Sequence, residues 1–205
     1  MATTTNSHFT TLEQEHEAAQ LGMWLFLATE AMLFGGLFTA YTVYRTLYPD
    51  GFAEGSRHLD VTLATINTLV LIVSSGVMAL AVNRARNADD HRPPVRVLAV
   101  TAALGVVFLA LKAVEYQHHL TDGLVPGLAW QYAGPRAHEV ELFMLAYFSM
   151  TGLHAVHLTA GIGLVAWLAI WRPRATAVEL TGLYWNFVDL IWVFLLPLLY
   201  LYGVR

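Results

Sequence analysis

Residues 141–171 read ELFMLAYFSMTGLHAVHLTAGIGLVAWLAIW, and Glu141 is the one Asp, Glu, Lys or Arg among them. About 20 apolar residues in helical form cross the hydrocarbon core of a bilayer. This segment therefore reads as a membrane span with length to spare, either tilted or extended beyond the membrane. Four further stretches share its character: about Leu21–Tyr44, Val61–Val82, Val95–Tyr116 and Thr181–Tyr202. Lipid offers no partner to a bare backbone amide, so each span must be helical. The expected fold class is an all-α membrane protein, one domain built as a bundle of five transmembrane helices, with residues 1–19 as a polar N-terminal segment. Pro49-Asp50-Gly51, Asn87–Pro94 and the loop around Gly123–Pro135 read as turns between spans.

Composition supports this reading. Of 205 residues 57% are hydrophobic and 13% charged, and mean hydropathy is +0.52. A soluble domain is closer to a quarter charged. A net charge of −4 gives no basic surface for nucleic acid. The absence of cysteine excludes disulfides, thiol nucleophiles and thiolate metal sites together. Residues 1–19 are acidic, lack Lys and Arg, and show no basic–apolar–small leader pattern.

Lys and Arg decide orientation. Arg84, Arg86, Arg92, Arg96, Arg172 and Arg174 share the side of the N-terminus; Arg45, Arg57, Arg136 and Arg205 lie opposite. This places the N-terminus in the cytoplasm and the C-terminus outside. Thr10 or Thr11 followed by Glu13 or Gln14 forms a capping-box pattern for an interfacial N-terminal helix, whose Glu13, Glu15 and Glu17 read as a solvated face. Trp24, Tyr44, Trp130, Trp171, Trp185 and Tyr202 sit near span ends, where aromatic rings favour the headgroup zone. Trp24, Arg172 and Trp185 are the candidate lipid-headgroup contacts.

Ionisable groups inside spans carry the functional question, because each costs roughly 2.5–3.5 kcal/mol on insertion scales. Glu30 is mid-span, and two readings stay open: a proton-exchanging group, or a protonated carboxyl bonded to a neighbouring helix. Gly35 and Gly36 would let such a helix approach closely. Lys112 and Glu115, three apart, share a face and read as an internal ion pair. His118 and His119 read as interfacial. His154 and His157 stand at i, i+3 on roughly one face; two histidines do not make a metal site, and no metal is expected. Asn67 reads as an interhelical hydrogen-bonder, Asn186 and Asp189 as buried polar groups of the last span, and Pro197 as a bend near its end. With no phosphate loop, dinucleotide fingerprint, nucleophile elbow or converging carboxylates, no catalytic residue is expected in this chain.

The order of motifs resembles subunit III of the haem–copper oxidases. Gly22-Met23-Trp24-Leu25-Phe26 with Glu30 and Phe34, Asn67-Thr68 with Ser74-Ser75-Gly76, Lys112-Ala113-Val114-Glu115-Tyr116, Gly152-Leu153-His154-Ala155-Val156-His157 and Tyr184-Trp185-Asn186-Phe187-Val188-Asp189 follow family order over nearly the whole chain. The five-span length is similar to that of bacterial forms lacking two N-terminal helices. The resemblance implies a chain without haem or copper of its own, those cofactors residing in partner subunits. It implies packing on subunit I, with subunit II and small subunits nearby, and bound phospholipid in a helix cleft. It also implies support of proton uptake and lasting activity in a bacterial inner-membrane terminal oxidase that reduces oxygen to water with electrons from cytochrome c or quinol. Glu30 matches the family's buried, carbodiimide-reactive glutamate. Asn186 departs from the family's usual histidine and cannot titrate. A nitric oxide reductase component is the alternative reading. A free-standing proton-coupled transporter using Glu30, Lys112 and Glu115 is disfavoured by the lack of repeats. A metalloenzyme on His118, His119, His154 and His157 is disfavoured because the two pairs lie at different depths.

Overall fold

The computed structural model describes residues 12–87, 94–171 and 175–204. Among the described residues five helices are long and apolar enough to cross a membrane: α1 (Leu12–Leu47), α3 (Val61–Asn87), α4 (Val95–Thr121), α5 (Ala137–Trp171) and α6 (Ala175–Tyr200), with a short α2 (Pro49–Arg57) between the first two. The proposed capping residues Thr10 and Thr11, together with Arg92, Arg172 and Arg174, lie outside the described residues.

α3, α4, α5 and α6 form a closed four-helix ring, each packed on two of the others. The seam is written in the spacing. α4 buries Leu98, Thr101, Gly105, Phe108, Lys112, Glu115 and His119, and α3 buries Ala64, Asn67, Leu71, Ser74, Met78, Ala81 and Ala85. These alternating steps of three and four are those of left-handed helix packing. The opposite faces carry exposed apolar residues such as Val73, Leu80, Val100 and Val106, as a helix bathed in lipid requires. α1 stands outside the ring against α5 and α6. It buries Leu27, Phe34 and Tyr41, one narrow stripe at seven-residue intervals.

Several expectations change. α1 runs unbroken through the segment read as a separate interfacial helix. α5, at 35 residues, has the expected excess length. Pro49-Asp50-Gly51 opens a helix instead of making a turn: Pro49 supplies the fixed φ of a first turn, and Phe52 is fully buried. The close fit of Gly51 on Glu139 and of Gly55 on the Phe143 ring leaves no room for a Cβ. α2 also holds the C-terminal end, since Ser56 Oγ donates to the Leu199 carbonyl at 2.7 Å and Arg57 Nε to the Gly203 carbonyl at 3.2 Å. The long α4–α5 loop contains a hairpin, β1 (Leu124–Val125) with β2 (Ala129–Trp130). Gly123 (φ 70°) ends α4 in the left-handed conformation, and Gly127 (φ 74°) turns the hairpin. Tyr132 Oη donates to Glu54, and Arg136 pairs with Asp50 at 3.0 Å, tying this loop to α2. Gly35 and Gly36 receive no neighbouring helix among the described residues: a Cβ there would meet nothing within 4 Å.

Candidate functional site

Glu30 has a partner that sequence could not name. Its Oε2 lies 2.8 Å from His157 Nε2 on α5, and His157 Nδ1 lies 2.8 Å from the Leu153 carbonyl. A carbonyl only accepts, so Nδ1 carries a proton. Nε2 therefore either accepts from a protonated Glu30 or donates, as an imidazolium, to its carboxylate. Both arrangements are neutral overall and differ by the position of one proton. Neutrality lowers the cost of placing the pair within a membrane span. Phe34 packs edge-on to the imidazole at 5.2 Å, and Tyr184 Oη donates to the His157 carbonyl at 2.9 Å. The side chains remain 16% and 14% exposed, at the edge of the bundle.

His154 takes a different direction. It is fully buried, with its ring against Phe108 and Trp192, and neither ring nitrogen has a hydrogen-bond partner among the described residues. Three residues advance a helix by about 300°, so the two rings diverge by about 60°, which here separates the core from the α1 contact. Among the described residues no group of three His, Asp or Glu side chains gathers. His119, read as interfacial, is instead buried against the Tyr147 and Phe148 rings.

The expected ion pair is present and larger than expected. Lys112 Nζ donates to Glu115 Oε2 (2.9 Å), Tyr147 Oη (3.0 Å) and Tyr200 Oη (2.8 Å). Both tyrosine hydroxyls in turn donate to Glu115 Oε1, at 2.7 and 2.6 Å. All three ammonium donors are thus used, and α4, α5 and α6 are locked at one depth. Tyr147 and Tyr200 escaped the sequence reading because nothing local marks a tyrosine as the partner of a distant ion.

On α6 two expectations are corrected and one is met. Trp185, read as a headgroup anchor, is 1% exposed and donates through Nε1 to Ser74 Oγ at 3.1 Å. Asp189, read as a buried polar group, is 4% exposed, about 21 Å into a helix that begins at Ala175, and accepts from Ser75 Oγ. Asn186, read as buried, is exposed. Asn67 behaves as expected, buried with Nδ2 donating to the Phe108 carbonyl at 3.4 Å. Ser74 and Ser75 were legible only as parts of a motif; their partners lie more than a hundred residues away.

Trp24, 60% exposed, flanks a groove of about 480 Å³ between α1 and α6, lined also by Leu27, Ala31, Leu183, Phe187 and Leu190. A polar recess of about 430 Å³ continues it and shares Trp24 and Asn186. Its wall includes the bidentate pair of Arg86 Nε and Nη2 with the Glu179 carboxylate, at 2.8 and 3.1 Å.

Comparison with known proteins agrees with this architecture. The family described as cytochrome c oxidase subunit III matches residues 2–204. The chain is 35% identical to cytochrome c oxidase subunit 3 of Synechocystis sp., over 88% of this chain and 74% of that one. It is 30% identical to cytochrome bo(3) ubiquinol oxidase subunit 3 of Pseudomonas putida, over 92% and 89%. It is 28% identical to a heme-copper oxidase subunit I+III of Aeropyrum pernix, over 87% of this chain and 22% of that one. The chain therefore belongs to the cytochrome c oxidase subunit III family, multi-pass membrane proteins that form the non-catalytic subunit of haem–copper oxidases in complex with the catalytic subunit.

Proposed function

We propose that this chain serves a respiratory terminal oxidase in a bacterial cytoplasmic membrane, N-terminus inside and C-terminus outside. There it steadies subunit I beside subunit II, holds phospholipid, and supports proton uptake during oxygen reduction to water. Haem and copper reside in the partner subunits; this chain's own contribution is positional and electrostatic. The observation that carries the reading is the Glu30–His157 pair, a neutral couple at the bundle edge with one proton that can sit on either residue. Such a couple exchanges a proton without creating net charge in the membrane. The groove beside Trp24, apolar along its length and polar at the Arg86–Glu179 end, has the polarity order of a phospholipid. The test is oxygen consumption by the purified complex over extended turnover. Glu30→Gln preserves shape and hydrogen bonding, so the initial rate is retained while activity decays sooner than in the parent. Glu30→Lys sets an ammonium against the His157 ring, and the chain is lost from the complex. A Glu30→Gln complex with normal subunit content and no turnover defeats a supporting role; one with unchanged rate and lifetime removes the pair from proton supply.

A further inference from the structure

The N-terminal part of α1 is fastened unlike the rest of the helix. The buried apolar side chains of α1 begin at Leu27 and continue with Phe34 and Tyr41. Residues 14–26, about 20 Å of helix, contain no buried side chain, and only Met23 packs partly against the core. A polar contact stands where the apolar ones stop. His16 Nδ1 lies 3.3 Å from Thr176 Oγ1 on α6, and His16 Nε2 lies 3.0 Å from Gln20 Nε2 and 3.9 Å from Glu179 Oε2.

Hydrogen-bond chemistry fixes the state of this ring. An amide nitrogen only donates, so His16 Nε2 accepts from Gln20, and the ring proton sits on Nδ1, donated to Thr176. The imidazole is therefore neutral here. A second proton turns Nε2 into a donor, which opposes the Gln20 donor and calls for an acceptor. The Glu179 carboxylate at 3.9 Å is that acceptor, already held by the Arg86 guanidinium of α3. Glu179 from α6 and, behind it, Arg86 from α3 are the charged groups that face the ring across helices; Glu15 and Glu17 are its neighbours on α1. Histidine ordinarily changes charge between about pH 5 and about pH 8.

The contact also stands at an opening. The recess of about 430 Å³ is walled by Gln20 and Trp24 of α1, Arg86 of α3 and Glu179 of α6, so its width follows the distance between α1 and the other two helices. We propose that His16 is a proton-operated clasp on this recess. Protonated, it pairs with Glu179 and draws the N-terminal part of α1 onto α6 and α3, closing the recess. Neutral, it lets that part swing outward from the Leu27 contact, and the recess opens. Acid therefore closes and alkali opens. Glu30 lies about 21 Å further along α1, beyond Leu27, and keeps its His157 partner in both positions. What enters the recess rests on the phospholipid reading above; the clasp does not.

The experiment uses the full chain in phosphatidylcholine nanodiscs. Because the chain holds no cysteine, Ala18→Cys on α1 and Leu80→Cys on α3, both exposed, carry the only spin labels. Double electron–electron resonance reads the α1–α3 distance distribution. From about pH 8 to about pH 5 the shorter-distance population should grow by about two- to fivefold, the range for a partly exposed ion pair. His16→Gln places a neutral polar group at a position 38% exposed, so the fold is kept, and it should abolish the pH response, as should Glu179→Gln. A distribution that ignores pH, or that shifts equally in His16→Gln, overturns the clasp. A fluorophore on Leu183→Cys, which lines both groove and recess, reports entry of brominated phosphatidylcholine through the rate of quenching. Slower quenching at the acid end supports clasp and phospholipid reading together. A pH-dependent distance with unaltered quenching sustains the clasp and defeats the phospholipid reading of the recess.

Discussion

Replacing Lys112 by Met tests the α4–α5–α6 lock directly. The substitution keeps the side-chain length and removes three donated hydrogen bonds, leaving the Glu115 carboxylate 3% exposed with two tyrosine donors. A neutral hydrogen bond within a membrane bundle contributes about 0.6 kcal/mol on average, so lost hydrogen bonds alone amount to about 2 kcal/mol. Orphaning one member of a buried ion pair costs about 3–5 kcal/mol, and this larger effect should dominate. The folded fraction then falls by roughly two to three and a half orders of magnitude in equilibrium terms, at about 1.4 kcal/mol per decade. Lys112→Met combined with Glu115→Leu removes both charges. It leaves only the Tyr147 and Tyr200 hydroxyls short of partners, although they lie 3.4 Å apart and can bond each other, for a cost of about 1–2 kcal/mol. The double variant is thus more stable than the single one. Unfolding of the chain in mixed micelles, driven by SDS and followed by tryptophan fluorescence and circular dichroism, gives all three energies; Trp192, its ring 5.0 Å from Lys112 Nζ, is a local reporter. A Lys112→Met cost below about 1 kcal/mol, or a double variant whose cost is the sum of the two single ones, refutes the coupled-pair account.

The same measurement separates two kinds of glycine. A Cβ on Gly105 would stand 2.9 Å from Trp185 Cη2 and 3.0 Å from Ile162 Cγ1, so Gly105→Val destabilises by about 1–3 kcal/mol through overpacking. Gly36→Ala meets open space and gains about 0.5–1 kcal/mol in helix propensity; equal effects would contradict the packing described. Outside the spans, Tyr132 donates to Glu54, and this bond to the neutral phenol raises its pKa above the ordinary value. The folded state therefore retains the proton longer than the unfolded state. The contribution is complete below about pH 10 and is lost as pH rises through the higher folded value. Tyr132→Phe should flatten the alkaline decline of stability above about pH 10; an unchanged slope removes the bond from the account.

Length and apolar content alone marked five long apolar segments, and the structure has five long apolar helices among the described residues, because a bilayer imposes one thickness on every crossing. The Lys112–Glu115 pair was equally legible, since both partners lie on one helix turn. Errors gathered where depth or partnership depended on another element. Trp24 and Trp185 were both read as interfacial. α6 begins six residues before the sequence estimate, which sinks Trp185 by about 9 Å and buries it on Ser74, while Trp24 stays on an uncovered face of α1. Pro49-Asp50-Gly51 carries turn chemistry, and only the burial of Phe52 beneath α5 makes it a helix.

By itself the sequence determined that this protein is an all-helical membrane bundle, and it marked Glu30, Lys112, Glu115 and Asp189 as ionisable groups in need of a reason. Tertiary structure alone decided what each reason is: His157 for Glu30, two tyrosines for Lys112 and Glu115, and Ser75 for Asp189. The physical cause of the division is range. Hydrophobic length and helical spacing are properties of neighbouring residues, whereas a mid-membrane charge is neutralised across helix contacts whose geometry no single segment contains.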